Sequence, residues 1–263
     1  MKKTFITLLA LAGIANADIT ETQSYYYSWD TSSSPAGNSG VTWVEEGGND
    51  GKGYITTTQN PEFYPDIFVT SNNFTMALKV RNLTMAAGDS AIFSYAPRST
   101  EASNDWKQLA VRRTESGAIT LDLHTDDGYQ NLLTLDVNQI SYADLQSETE
   151  WSSIILTGSS NGLTLNINGV SATYSGFTLS SDKNASDFQL ASEKYRGNTA
   201  TTGDFDDLAV WNRTLTDDEV AFLVAGNMAN GNLKLATGNI PEPTTATLSL
   251  LALAGLAARR RRK

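Results

Sequence analysis

Three stretches of this chain alternate between apolar and polar residues so regularly that they cannot be seated on a helix. FTMALKV, residues 74–80, sets Phe74, Met76, Leu78 and Val80 against Thr75, Ala77 and Lys79. AITLDLH, residues 118–124, separates Ile119, Leu121 and Leu123 from Thr120, Asp122 and His124. LTLNINGV, residues 163–170, separates Leu163, Leu165 and Ile167 from Thr164 and Asn166, then reaches Asn168-Gly169, a dipeptide suited to a two-residue hairpin turn. Successive side chains of a strand point to opposite faces, so each stretch reads as a strand with one buried face. Further strands are expected at 91–96, 108–113, 132–137, 151–157 and 206–211, separated by Gly, Ser, Asn and Thr clusters. The pattern predicts an all-β sandwich or jelly roll of antiparallel strands.

One helix interrupts it, in LTDDEVAFLVAGN. Thr216 suits an N-cap and Glu219, three residues on, completes a capping box. Leu215 and Val220 form a staple pair, Asp217 and Asp218 favour the positive end of the helix dipole, and Gly226 suits the close.

The two ends are unlike this body. MKKTFITLLALAGIANA, residues 1–17, joins two lysines to an apolar run and an Ala-Asn-Ala finish, the three regions of a secretory signal peptide. Signal peptidase is the implied processing enzyme, and Asp18 the expected mature start. At the other end stand Pro241-Glu242-Pro243, an apolar segment over 244–258, and five cations over 259–263. This tail, 240–263, resembles the PEP-CTERM sorting signal. That resemblance implies processing by an exosortase, a transient anchor in the inner membrane, and delivery to the cell surface or outside the cell. Fifteen helical residues span roughly 22 Å, short of a hydrocarbon core of about 30 Å, which suits a temporary anchor. The cations hold the C-terminus on the cytoplasmic side.

Between the ends lie one domain, 18–226, and an Asn-, Gly-, Ala- and Thr-rich linker, 227–239. With seven cations and one anion set aside at the ends, the body carries 12 Lys and Arg against 28 Asp and Glu, a net charge of −16. Nucleic acid and anionic membrane surfaces are poor partners for it, whereas cations are good ones. An exported chain with no cysteine has no disulfide scaffold and depends on a sizeable core or a metal.

GDFDDLAVWNRTLTDDEVAFLVAGN, residues 203–227, resembles the close of LamG-like domains of the concanavalin A-like superfamily: a strand of the form I-D-D-V-R-I-Y-N-R, then A-L-S and a short helix. WSSIILTGSSNGLTLNINGV, residues 151–170, is similar to the family's W-H-H-V-A and its following strand, with Ser152-Ser153 in place of the His pair and Ala209 in place of the later Arg. The resemblance implies a jelly-roll sandwich of two antiparallel sheets with one short C-terminal helix. It implies glycan binding or adhesion, and in some members structural Ca²⁺ held by the Asp matched here by Asp206 together with carbonyls of an N-terminal loop. GGNDGKG, residues 47–53, is the candidate loop. By alternation Asp206 is expected on the face of Leu208 and Val210, opposite Asp207.

Glycan recognition needs aromatic faces among polar groups. Trp106 in SNDWKQ and Tyr195 in SEKYRGNTATTG are the first candidates, followed by Trp29, Trp43 and Tyr64, with Trp151 and Trp211 assigned to packing. For catalysis, glucan hydrolases of the superfamily carry E-x-D-x-E on one strand. The nearest approach here is Glu148 and Glu150, which lacks the middle Asp. His124, the single histidine, reads as a solvated strand residue, and no H-E-x-x-H occurs. Sequons at Asn73, Asn82, Asn184 and Asn212 carry no weight in a bacterial export route. The reading is a non-catalytic LamG-like module recognising a glycan or extracellular matrix polymer, with Ca²⁺ as a structural ion. A structural surface or matrix protein without a defined ligand and a glycoside hydrolase of the same fold are the alternatives.

Overall fold

The computed structural model describes residues 23–30, 40–58, 69, 72–85, 91–98, 108–125, 128–177, 185–192 and 201–227. In chain order the strands are β1 (Gln23–Tyr27), β2 (Val41–Val44), β3 (Tyr54–Thr57), β4 (Phe74–Met85), β5 (Ala91–Arg98), β6 (Gln108–Arg113) and β7 (Ile119–Thr125). They continue as β8 (Gly128–Thr134), β9 (Ser152–Ser159), β10 (Gly162–Ile167), β11 (Val170–Ser175), β12 (Ala185–Leu190) and β13 (Thr201–Trp211), and α1 (Asp217–Phe222) follows.

Two antiparallel sheets result. The larger runs β11-β10-β9-β4-β13-β3-β2, with β1 also on β13, and the smaller runs β12-β5-β6-β7-β8. β13 is long enough to seat two partners end to end on one side: Gly203–Phe205 pair with β3 and Leu208–Trp211 with β1, while β4 lies along its other side.

The alternation lines up across the layers. Phe74, Met76, Leu78 and Val80 of β4 meet Leu109, Val111, Ile119, Leu121 and Leu123 of the smaller sheet in one core. A second, smaller core lies on the far side of the larger sheet, where Ala77, Ile155, Ala209 and Trp211 are covered by Leu215 and Leu223. At the β10–β11 turn both central residues take positive φ, 51° at Asn168 and 91° at Gly169, the geometry that twists with a right-handed hairpin. Two strands begin earlier than expected: β13 starts at 201, not 206, and β8 runs 128–134, not 132–137. The pairing of β8 with β7 shifts between Leu121 and Asp122, so Leu132 and Leu133 are both buried, and Asp136 already opens a turn by accepting from Asn138 N at 3.0 Å.

The helix begins as its sequence predicts. Thr216 Oγ1 accepts from Glu219 N at 3.3 Å, and Glu219 Oε2 accepts from Thr216 N at 2.8 Å. Arg213 adds a two-pronged pair, Nη1 to Oε2 at 2.8 Å and Nη2 to Oε1 at 2.7 Å. Gly226, at φ 92°, closes the segment. Burial pushes the Glu219 carboxyl up, but the Arg213 and Thr216 hydrogen bonds outweigh it and hold the group below its ordinary value of 4.5. A depressed carboxylate contributes stability that is present above the unfolded value and lost as pH falls through the folded one. Glu219→Gln is therefore expected to cost about 1–2 kcal/mol at neutral pH, the size of a lost cap with a charged hydrogen bond. The gap between variant and parent should narrow as pH falls below 4.5, towards the lowered folded value. Urea unfolding at pH 7 and pH 3.5 measures both; an equal gap at the two values would refute the assignment.

Candidate functional site

The face of the smaller sheet turned away from the core is polar, built by the strand parity of β5 to β8 and β12. It carries Ser94, Gln108, Arg112, Thr120, Asp122, His124 and Gln189, all buried. Arg112 Nη1 donates to Asp122 Oδ2 at 3.3 Å, and Asn131 Nδ2 donates to Asp122 Oδ1 at 2.9 Å. Against the Tyr129 ring lie the Arg112 guanidinium, 3.9 Å from its centroid, and the His124 imidazole, stacked at 4.3 Å and 10°. Gln108 is 0 % exposed, and neither its Nε2 nor its Oε1 has a hydrogen-bond partner among the described residues. The face meets solvent along β8, where Tyr129, opposite His124, is half-buried and Asn131, opposite Asp122, is exposed.

His124 is thus not the solvated residue that alternation suggested. It is 8 % exposed and held against Tyr129. Parity had placed it on the polar side correctly, but a polar face is solvated only if nothing lies over it.

The second site lies on the opposite side of the molecule, where β13 carries Asp204, Asp206 and Asp207, all buried. Asp206 Oδ2 accepts from Asn49 N at 2.8 Å and Oδ1 from Asp207 N at 2.9 Å. Asp207 accepts from Tyr26 OH at 2.6 Å and from Asn49 Nδ2 at 2.8 Å. Lys79, the cross-strand neighbour of Asp206, is 3 % exposed and places Nζ 2.5 Å from Ser153 Oγ. Burial pushes Asp206 up to about 8, with the charge of Asp207 adding to the effect. Burial likewise draws Lys79 down to about 8 against the pull of Asp207 and Asp206. Beside them Arg81 Nε binds Asp204 Oδ2 at 2.9 Å, its guanidinium 4.8 Å from the Tyr54 ring and 4.4 Å from Trp151.

The expected face of Asp206 is wrong by one residue. Asp207 has φ 51° and the β13–β4 register slips between Asp206 and Ala209. That bulge lets Phe205, Leu208 and Val210 all join the main core, while Asp206 turns outward beside Lys79. The GGNDGKG loop does come to Asp206, as expected. A Cβ at Gly48 would stand 2.7 Å from Asp206 Oδ2, 2.7 Å from Gly53 O and 2.9 Å from Lys52 O, so three oxygens converge where a side chain would be. Among the described residues no three His, Cys, Asp or Glu side chains gather round one point, so any cation here draws mostly on carbonyls.

Trp106, Tyr195 and Tyr64 lie outside the described residues, as do the signal peptide, Pro241, Glu242, Pro243 and the rest of the tail. The strand ends that flank the first two leave from opposite ends of the smaller sheet: β6 begins beside the end of β5, whereas β12 ends beside its start. Trp29 is buried and stacked with Tyr27, and Trp43 Nε1 donates to Trp29 O at 2.8 Å, so both serve packing. Glu148 and Glu150 are exposed in the loop before β9. Gly158-Ser159-Ser160-Asn161-Gly162 has the G-x-S-x-G spacing, yet it forms the β9–β10 hairpin, and a nucleophile elbow needs a strand-to-helix turn. Arg112, Tyr129, Asn131, Gln108 and Gln189 were not singled out from the sequence. The alternation of QLAVRR, with Leu109 and Val111 inward, would have found the first of them.

Among the described residues no helix is long and apolar enough to cross a membrane. No curated protein matches the chain. Among solved structures, domain 4 of AbnA, an extracellular arabinanase of Geobacillus stearothermophilus solved with arabinotriose, superposes with a TM-score of 0.51 at 17% identity, covering 77% of this chain and 98% of that one. The CBM40 of Ruminococcus gnavus IT-sialidase, solved with α2,6 sialyllactose, gives 0.46 at 16% identity over 70% and 97%. The PEP-CTERM protein-sorting motif matches residues 239–263, one residue wider than the tail read from the sequence, and marks the chain for export and membrane-associated sorting. With two antiparallel sheets, a capped C-terminal helix and a family match over residues 49–221, the chain belongs to the concanavalin A-like lectin/glucanases superfamily.

Proposed function

We propose that this chain is an exported, non-catalytic carbohydrate-binding module displayed at the cell surface or released from it, and that the polar face of the smaller sheet takes the glycan. The observation that carries the reading is the solvent-facing edge of this face, where the exposed Asn131 amide and the half-buried Tyr129 ring stand over the Arg112–Asp122 pair and the His124 stack, with the Gln108 amide behind them unpartnered among the described residues. A sugar hydroxyl, donor and acceptor at once, can bond the Asn131 amide, and a sugar ring can lie against Tyr129. Trp106 precedes Gln108 by two residues and is the aromatic proposed to stack on the sugar, with Tyr195 as the second candidate. The arabinotriose held by the AbnA domain supports an oligosaccharide as the ligand class. Asp122 is the one carboxylate among the described side chains of this face, and hydrolysis of a glycoside ordinarily takes two. The tail is proposed to anchor the chain in the inner membrane through 244–258 until an exosortase-type enzyme releases it.

Binding of arabinotriose, and of an immobilised panel of plant, animal and bacterial glycans, tests this with the exported protein. Trp106→Ala and Asn131→Ala should each weaken binding about tenfold or more, the value of one lost hydrogen bond or stacking contact. A folded protein that binds nothing in the panel would sink the reading and leave a structural surface protein.

We further propose a structural Ca²⁺ at Asp206. The donor set fits: a carboxylate oxygen and the Lys52 and Gly53 carbonyls are hard oxygens that already converge on Gly48, in a body of net charge −16. The ion would supply positive charge to a buried carboxylate pair and tie the 47–53 loop to β13. Calcium at about one hundred times its dissociation constant is worth about 2.7 kcal/mol, or roughly 5–10 °C in melting temperature for a domain of this size. Melting curves with CaCl₂ and with EDTA should differ by that amount, and Asp206→Asn should remove the difference. Identical curves for the parent protein would refute the site.

A further inference from the structure

The far edge of the larger sheet is built unlike the other edges, and what is missing from it is protection. β11 pairs with β10 through six consecutive residues, Val170 to Ser175, without a shift in register. Among the described residues no strand is hydrogen-bonded to its other side, although β8 of the smaller sheet approaches β11 across the sandwich. An open edge offers a row of unpaired N–H and C=O groups, and proteins ordinarily blunt such edges with charge, proline, a bulge or shortness. The other edges of the two sheets do so. β2 has four residues and runs into Glu45 and Glu46, β12 contains Asp187, β8 faces a register shift, and β1 carries one against β13. β11 has none of these.

Charge sets it apart further. From Trp151 to Ser181 the chain has no Asp, Glu, Lys, Arg or Pro, although its body carries a net charge of −16. This stretch forms β9, β10 and β11 together. It is therefore a long flank, among the described residues, on which a second copy of so acidic a body can approach without like charges meeting. Beneath the open backbone edge, Val170, Ala172, Tyr174 and Phe177 are only partly buried against the main core, so apolar surface remains to be covered there. On the outer side Ser171, Thr173 and Ser175 are exposed.

We propose that β11 is the seam of a homodimer, in which a second copy adds its own β11 antiparallel and the two larger sheets become one continuous sheet. The occupant is specified by the edge itself. A two-fold axis normal to the sheet keeps core side against core side, so the axis passes through one residue of β11, Ala172 or Thr173. In either register, exposed hydroxyl residues face exposed hydroxyl residues, and the apolar row of Val170, Ala172 and Tyr174 faces its own copy. Nothing in that pairing requires a partner of opposite charge, which a lysine-rich or acidic peptide would. The inference is independent of the glycan and calcium assignments, since the seam shares no residue with either site.

Sedimentation velocity of the exported protein across a hundredfold concentration range is the test, with two variants. Thr173→Glu places carboxylates opposite or diagonal to each other at the seam and should raise the dimer dissociation constant about tenfold or more, whereas Thr149→Glu, in an exposed loop, should leave it unchanged. Because the chain has no cysteine, Thr173→Cys supplies a unique thiol. A short bismaleimide should couple Thr173→Cys protomers in high yield and Thr149→Cys protomers hardly at all. Dimer formation that is sensitive to Thr173→Glu and captured at Thr173→Cys supports the seam. A monomer at every concentration, a dimer indifferent to Thr173→Glu, or open-ended assembly in place of a dimer each overturns it. The thiol experiment stands even if the glutamate variant fails to fold.

Discussion

One extra residue in β13 decides how this molecule divides its inside from its outside. At Asp207 the backbone turns to φ 51°, and from there the parity of the strand reverses. Without the slip, Leu208 and Val210 would share a face with Asp206, and the central strand of the larger sheet would drive a carboxylate into the main core. With it, Phe205, Leu208 and Val210 all pack inward, and Asp206 is delivered to the 47–53 loop. A non-glycine residue in that conformation costs about 1–3 kcal/mol. The bonds it permits to Asp207, from Tyr26 OH and Asn49 Nδ2, are each worth about 1.5–3 kcal/mol as hydrogen bonds to charge, and the one from Asn49 N to Asp206 about 0.5–1.5 kcal/mol. Strain is thus more than offset. Desolvating two adjacent carboxylates is the larger cost, and the ammonium of Lys79 across the strand meets only part of it.

The same residue explains what could be read in advance and what could not. Alternation in β4, β6, β7 and β10 located the strands and their buried faces almost to the residue, because each is regular and half-buried. The capping box at Thr216 and Glu219 and the Asn168-Gly169 turn were legible for a like reason: their chemistry is local and spans four residues or fewer. Errors arose where a register changes. The slip at Asp207 misplaced Asp206, and the one between Leu121 and Asp122 put β8 four residues too late. A bulge leaves little trace in hydropathy, although an Asp-Asp pair inside an apolar strand is a hint, since Asp tolerates positive φ better than most. His124 failed differently. Its face was right, but the cover over that face is tertiary information that no local pattern carries.

The outer surface of the larger sheet is partitioned by function along its strand order. Over β13, β4 and β9 the small second core of Trp211, Ala77 and Ile155 seats the helix, and the Arg213–Glu219 pair fastens it. Next to it the buried acids hold the N-terminal loop. Toward β10 and β11 both apolar and charged residues give way to hydroxyls, with Thr164 and Thr173 bonded to each other across the strands at 2.9 Å. A helix and a loop cover the first two regions, and the hydroxyl-rich flank ends the sheet in β11 as β2 ends it on the other side. Its lack of charge is then a departure from the rest of the body in a place where charge would ordinarily guard an edge.

That partition bears on how a weak binder can work at a surface. In the proposed dimer, a two-fold axis normal to the joined sheet would leave both smaller sheets on the same side of it, so their polar faces would look the same way. Single oligosaccharide sites that rely on a few hydrogen bonds and one stacked ring are weak. Two rigidly parallel sites on one polymer convert the second binding step into an intramolecular one, and avidity can exceed the single affinity by about 10²–10⁴ without a new contact. The gain depends on geometry, which a shared sheet fixes far better than a flexible linker does. In the proposed dimer, an open, neutral edge and a polar face directed away from the core are therefore complementary features: the first would align two copies, and the second would give that alignment something to hold.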